Sequence, residues 1–164
     1  MTLPSYYITT PIYYVNDIPH IGHAYTTLAC DVMARFKRLD GYNVLFLTGT
    51  DEHGQKVEIA AGKHGLEPQV FTDQVSQNFR DLLPALDISN DDFIRTTEQR
   101  HKVSAQKMWQ KLFDNGHIYR DKYSGWYSVR DEAYFTENEL IDGKAPTGAP
   151  VSWVEEESYF FNLS

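Results

Sequence analysis

The stretch "SYYITTPIYYVNDIPHIGHAYTTLACDVMARFKRLDGYNVLFLTG", Ser5 to Gly49, decides the fold. It opens on aromatic and β-branched residues, which predict a strand closed by Pro11. From Tyr25 the apolar residues Tyr25, Leu28, Ala29, Val32, Met33, Phe36 and Leu39 recur at helical spacing on one face and predict a helix. Asp40-Gly41 predicts its end, with Gly41 as a left-handed cap. "YNVLFLTG" then reads as a buried strand. Strand, helix and strand in that order predict an α/β fold, built on a parallel sheet with a right-handed crossover.

Working outward, residues 54–64 read as a helix stopped at Gly65. Pro68 opens a longer one, with Val70, Phe71, Val75, Phe79, Leu82, Leu83 and Leu86 as its buried stripe. "DDFIRTT" predicts a short strand, and residues 98–115 a helix stopped by Gly116. The texture changes there, which predicts a first domain over 1–116 and a second segment over 117–164. "IYRDKYSGWYSV" predicts a hairpin turning at Ser124-Gly125, and Thr136 to Glu139 a capping box. "DGKAPTGAP" reads as a loop, and the chain runs out in the strand-like "EEESYFFNLS". There is no internal repeat and no low-complexity tract.

At 164 residues, 41% hydrophobic and 23% charged, the chain is long enough to bury a core. No apolar run is long enough to span a membrane, and "MTLPSYYITTP" lacks the basic region and apolar core of a signal peptide. The single cysteine, Cys30, excludes an internal disulfide and a cysteine-rich zinc site. A cytoplasmic location is therefore expected. With 15 basic and 23 acidic residues the formal charge is −8, which argues against a broad nucleic-acid-binding face. A nucleic-acid partner would need a local basic patch or a further domain.

Two histidines, His20 and His23, stand at the mouth of the first predicted helix with Gly22 between them. Ligands of open parallel sheets bind at the carboxyl ends of strands, and a helix N-terminus favours phosphate. Gly22 removes a side chain and leaves room for a flat ring. Two donors beside a polyphosphate suit transfer chemistry at phosphorus, which is mostly positioning and charge stabilisation. On these four residues alone a solvated helix end or a weak metal site remains the bland alternative.

The wider pattern carries a resemblance. "HIGH" resembles the signature of class I aminoacyl-tRNA synthetases, and "TTPIYYVNDIPHIGHAYT" with "LTGTDEHGQK" and "WVEEESYFFNLS" resembles methionyl-tRNA synthetases. It covers almost the whole chain. It implies the first half of a Rossmann-like nucleotide-binding domain, followed by an incomplete connective insert with β-hairpins. Family members continue into a "KMSKS" loop and a helical anticodon-binding domain, and this sequence has no such loop. The resemblance therefore implies the N-terminal part of a longer enzyme, inactive by itself. That enzyme is implied to be a methionine–tRNA ligase, which makes methionyl-adenylate from methionine and ATP and passes it to the 3′ end of tRNA(Met).

By the same resemblance His20 and His23 are the catalytic donors to the phosphates. Ile12, His20, Gly22 and His23 bind ATP, which comes with Mg2+. Pro11, Ile12, Tyr14 and Asp51 bind methionine. A carboxylate at Asp51 suits an ammonium group, with Glu52 as the rival, and apolar and aromatic walls suit a thioether. Asn16 is expected to brace the loop, and His53 and Gly54 to line the same mouth. Where some members carry zinc-binding cysteine pairs, Ser128 and Asp131 stand here. The expectation is a metal-free knuckle packed around Trp126, Tyr127 and Tyr134. Arg120, Lys122 and Arg130 are candidate phosphate contacts, with scattered surface charge as the alternative. His117 reads as solvated. Two rival functions follow from the same residues: a small nucleotidyltransferase with a similar His-x-Gly-His turn, and a synthetase-derived binding module without catalysis.

Overall fold

The computed structural model describes residues 2–163; Met1 and the last residue of the strand-like tail, Ser164, lie outside the described residues. The chain divides into two compact units, the division falling between Ser104 and Ala105.

The first unit runs β1 (Ser5–Thr9), β2 (Tyr13–Tyr14), α1 (Ile21–Leu39), β3 (Asn43–Asp51), α2 (Gln55–Lys63), α3 (Pro68–Ala85) and β4 (Asp92–Arg95), and then enters α4 (Gln99–Asp114). All pairings with β3 are parallel. β1 lies beside the first half of β3, from Ser5 opposite Asn43 to Thr9 opposite Leu47. Pro11 interrupts the strand, and β2 resumes further along, with Tyr13 opposite Thr50 and Tyr14 opposite Asp51. β4 pairs with β3 from Leu47 to Thr50. Gly49 answers to that last pairing, because a Cβ there would lie 2.0 Å from the Ile94 carbonyl oxygen.

The core gathers Tyr13, Val15, Val57, Ala61, Phe71, Val75, Phe79 and Phe93. α3 thus buries Phe71, Val75 and Phe79 as its spacing predicts, while Val70 is exposed and Leu82, Leu83 and Leu86 are half-buried. In β3 Phe46 is fully buried but Leu45 is half exposed, so the strand packs mainly on one face.

α1 forms where the spacing predicts it, but the side that packs is not the apolar one. Its apolar stripe is exposed: Tyr25 is 75% accessible and Leu39 90%. The buried positions are Thr27, Asp31 and Ala34. Polar residues hold the inner face because each finds a partner there. Thr27 Oγ1 lies 2.8 Å from the Tyr13 hydroxyl. Asp31 accepts from the Ser89 N–H at 2.7 Å, the Ser89 hydroxyl at 2.6 Å and Arg35 Nε at 2.7 Å. Paired polar groups cost little to bury, so periodicity located an apolar stripe but not the side on which this unit packs.

The second unit holds the end of α4 and three antiparallel strands, β5 (Ile118–Ser128), β6 (Ala133–Phe135) and β7 (Ser152–Phe161), in the order β6-β5-β7. The hairpin predicted over 118–129 is one unbroken strand. Ser124 and Gly125 continue the ladder opposite Glu155 and Val154. Gly125 sits there because a Cβ would press on the Tyr134 ring at 3.2 Å, and not because the chain turns. The turn falls after Ser128 instead. The capping box forms as expected, with the Thr136 N–H donating to Glu139 Oε2 at 2.7 Å. Trp109 and Phe113 of α4 meet Tyr159 of β7 edge to face. Among the described residues no helix is long and apolar enough to cross a membrane.

Candidate functional site

The two histidines are the cap of α1. His20 is the N-cap residue, and its Nδ1 accepts the Gly22 N–H at 3.1 Å. Reciprocally, His23 Nδ1 accepts the His20 N–H at 3.1 Å. This is the geometry of a capping box with imidazoles in the places of hydroxyl and carboxylate. The rings stack with centroids 3.8 Å apart. An Nδ1 that accepts leaves the proton of a neutral ring on Nε2, so both rings are assigned the Nε2–H form, with two parallel donors pointing away from the helix backbone. His23 is wedged against Tyr13 and Phe79, with centroids at 4.7 and 5.1 Å. Burial first, and the neighbouring His20 second, lower its pKa and favour that neutral form.

Gly22 has a structural task beside any ligand-binding one. A Cβ there would lie 2.9 Å from His20 Cε1, so a side chain would push the ring out of its cap.

A cavity of about 590 Å³ opens in front of this turn. Pro11, Ile12, Tyr14, His20, Gly22 and His23 all line it, together with Asn16 and Tyr13. The volume lies in the range of small-molecule sites. Among the described residues no lysine or arginine lines it. Tyr13 is a lining residue that the sequence reading passed over. Strand alternation was the available signal: Tyr13 turns to the core and Thr27, while Tyr14 turns to the opposite face.

Asp51 does not line that cavity. It ends β3 as the register partner of Tyr14, and paired positions of neighbouring strands share a face. No hydrogen bond or ion pair engages its carboxylate among the described residues. Glu52 differs in every respect. Its side chain is wholly buried and takes Arg95 Nε at 2.7 Å, Arg95 Nη2 at 2.9 Å, and the hydroxyls of Thr50 and Thr97. Two charged hydrogen bonds raise the Arg95 pKa, that to Glu52 ahead of that to Asp73. The two carboxylates differ in availability: Glu52 already accepts four hydrogen bonds, from Arg95 twice, Thr50 and Thr97. His53 is exposed, with Nδ1 3.0 Å from Thr96 Oγ1.

In the second unit, Ser128 and Asp131 bond to each other. The Ser128 hydroxyl donates to Asp131 Oδ2 at 3.1 Å, and Thr147 donates to the same carboxylate. Trp126 packs on Trp153 and Tyr127 on Tyr134 around this knuckle. Arg120 pairs with Glu157, and Arg130 reaches Asp131 and the Thr147 carbonyl, so two of the three candidate phosphate contacts are engaged internally. Among the described residues no group of three or more His, Cys, Asp or Glu side chains is gathered to hold a metal ion.

Comparison with known proteins converges on one family. The family model described as tRNA synthetases class I (M) matches residues 6–163. A methionine–tRNA ligase from Rickettsia conorii is 70% identical over 161 residues, which are 98% of this chain and 32% of that protein. One from Mesorhizobium japonicum is 56% identical, covering all of this chain and 33% of that protein. The solved structure of Mycobacterium tuberculosis methionyl-tRNA synthetase in complex with methionyl-adenylate superposes with a TM-score of 0.90 at 50% identity, covering 99% of this chain and 33% of that one. The chain therefore spans about a third of the length of the relatives it matches.

Proposed function

The chain belongs to the class I (M) tRNA synthetases, and from that premise we propose that it is the amino-terminal third of a cytoplasmic methionine–tRNA ligase. Its substrates are methionine, ATP with Mg2+, and tRNA(Met). The observation that carries the reading is the histidine capping box, which presents two Nε2–H donors to a cavity of ligand size.

In the first step the methionine carboxylate attacks the α-phosphorus in line, giving methionyl-adenylate and pyrophosphate. His20 and His23 donate to the phosphate oxygens as charge builds there. Neutral donors held by their own Nδ1 bonds cost no reorganisation during the reaction. The positive end of the α1 dipole adds to the same field. Gly22 leaves the adenine room beside Ile12. Pro11, Ile12 and Tyr14 wall the thioether, and Asp51 takes the ammonium as a charge-assisted pair. The adenylate then acylates the 3′ end of tRNA, which the second unit helps to position. Residues 1–116 form the nucleotide-binding half and 117–164 the connective segment. The knuckle does not fit zinc: Ser128 is no usual ligand, and hydroxyls occupy the Asp131 carboxylate.

A triphosphate needs cationic partners that this cavity lacks among the described residues. The chain alone is therefore expected to catalyse no methionine-dependent exchange of pyrophosphate into ATP, and the whole ligase to do so. Exchange without methionine would favour the nucleotidyltransferase reading. Exchange by the chain alone, well above a His23→Ala control, would overturn the incompleteness.

A further inference from the structure

At the exit of β3 the chain is tied down on both sides of Asp51. On one side the Thr96 N–H donates to the Thr50 carbonyl at 3.2 Å. On the other the Glu52 N–H donates to Thr96 Oγ1 at 2.9 Å, and the Glu52 carboxylate is held by Arg95, Thr50 and Thr97. The same Thr96 hydroxyl meets His53 Nδ1. One residue later the restraint ends, because Gly54 takes φ 107°, where the chain is free of side-chain limits. Thr50, Glu52 and His53 are thus latched to the exit of β4, with Asp51 between them. Asp51 is the one whose carboxylate the latch leaves free.

We infer that the β4 exit, and Thr96 in particular, is a positioning device for Asp51: it fixes the backbone on both sides of that carboxylate so that the charge stands ready for a substrate ammonium. This rests on the reading of Asp51 given above.

Stability alone is a poor account of the arrangement. A buried ion pair gives no net gain over an apolar pair of the same shape, whereas it does restrict the chain to one conformation. Binding gains from that restriction, since a carboxylate already in place loses less freedom when the ligand arrives. Thr96 is the informative member. It carries no charge, touches neither the cavity wall nor Asp51, and joins the backbone of Glu52 to the ring of His53 through one oxygen.

The test is steady-state adenylation by the whole ligase, comparing Thr96→Val, Thr96→Ser, Thr97→Val and Asp51→Asn. Thr96→Val keeps shape and removes the hydroxyl. The expected result is a rise of about tenfold in KM for methionine, the size of one lost hydrogen bond, with kcat and KM for ATP within about twofold. Thr96→Ser restores the hydroxyl and should return KM to within about twofold of the parent. Thr97→Val, which loosens Glu52 from the other end, should raise the same constant if Thr96→Val proves insoluble. A merely structural role would lower the unfolding midpoint and the active fraction, and leave KM where it was. If Asp51→Asn raises KM for methionine while both valine variants leave it unmoved, the latch is overturned and the reading of Asp51 stands. If Asp51→Asn itself leaves KM unmoved, the reading of Asp51 falls and takes the latch with it.

Discussion

Each unit pins a loop at the end of its sheet with one carboxylate, and the two pins differ. Glu52 is wholly buried and faces an arginine and two hydroxyls. Asp131 lies nearer the surface, and hydroxyls of Ser128 and Thr147 do most of the holding. The first pin stands beside Asp51, whose carboxylate has no hydrogen-bond or ion-pair partner among the described residues; the second organises a knuckle. The difference lies in what each tie is made of. Where the loop has only to keep its shape, hydroxyls and aromatic packing suffice. Beside Asp51, to which the proposed function gives a charged ligand, a stiffer and costlier tie is used.

Arg95 offers the largest break in that comparison. Arg95→Met leaves the Glu52 carboxylate buried without a cation, which costs roughly 3–5 kcal/mol. Asp51→Asn, one residue away from Glu52, should change stability by less than about 0.5 kcal/mol, because no partner is lost. Urea unfolding of the chain checks both through the midpoint at unchanged slope. A large loss from Asp51→Asn, or a small one from Arg95→Met, would reverse the roles assigned to the two carboxylates.

The histidine box sharpens the comparison from another side, since there one residue pins the helix and, in the proposed function, also acts. Nδ1 holds the helix and Nε2 faces the cavity, so the tasks are separable. His20→Asn should keep the cap, asparagine being among the best residues at that position. It removes the ring donor, and single-turnover adenylate formation by the whole ligase should fall roughly a hundredfold, on the order of 3 kcal/mol. His20→Ala should lose the same rate and also about 1 kcal/mol of stability. An asparagine variant with the parent's rate would make His20 a cap and nothing more.

These contrasts also explain what the sequence did and did not disclose. The order of strands and helices was legible because periodicity and glycine stops are local, and Gly41 does adopt the left-handed cap, at φ 83°. His20, Gly22 and His23 were legible as a cluster at a helix mouth because their spacing is local too. The covered side of α1 was not, since it depends on Ser89 and Tyr13 arriving from elsewhere to satisfy Asp31 and Thr27. The false hairpin at Ser124-Gly125 has the same origin: the glycine answers to Tyr134 across the sheet and not to its own neighbours. The choice between Asp51 and Glu52 also waited on Arg95, which lies more than forty residues away in sequence.

The smallest effect is expected at Asp131, and acid reveals it. The hydrogen bond from Thr147 comes first, and those from Ser128 and Arg130 add to it; together they hold the Asp131 pKa below the ordinary carboxylate value of 3.8. A carboxylate whose pKa is lowered in the folded state contributes stability that is fully present above its unfolded pKa. That contribution is lost as pH falls through the folded value. At neutral pH the knuckle should therefore be insensitive to pH, and below about pH 4 it should loosen as the carboxylate gains a proton. Asp131→Asn should mimic the acid state at any pH, because an amide has one acceptor oxygen where the carboxylate has two. The sensitive readout is hydrogen exchange at the amides of Ala145 and Gly148, which bond to the Ala149 and Ala145 carbonyls inside the loop that Thr147 ties to Asp131. Exchange there, corrected for intrinsic rates, should quicken in Asp131→Asn at neutral pH and in the parent below pH 4. The amides of β3 should keep their protection in the variant, since Glu52 and Arg95 are untouched. Equal loosening of both sheets would mean that the two pins are not independent.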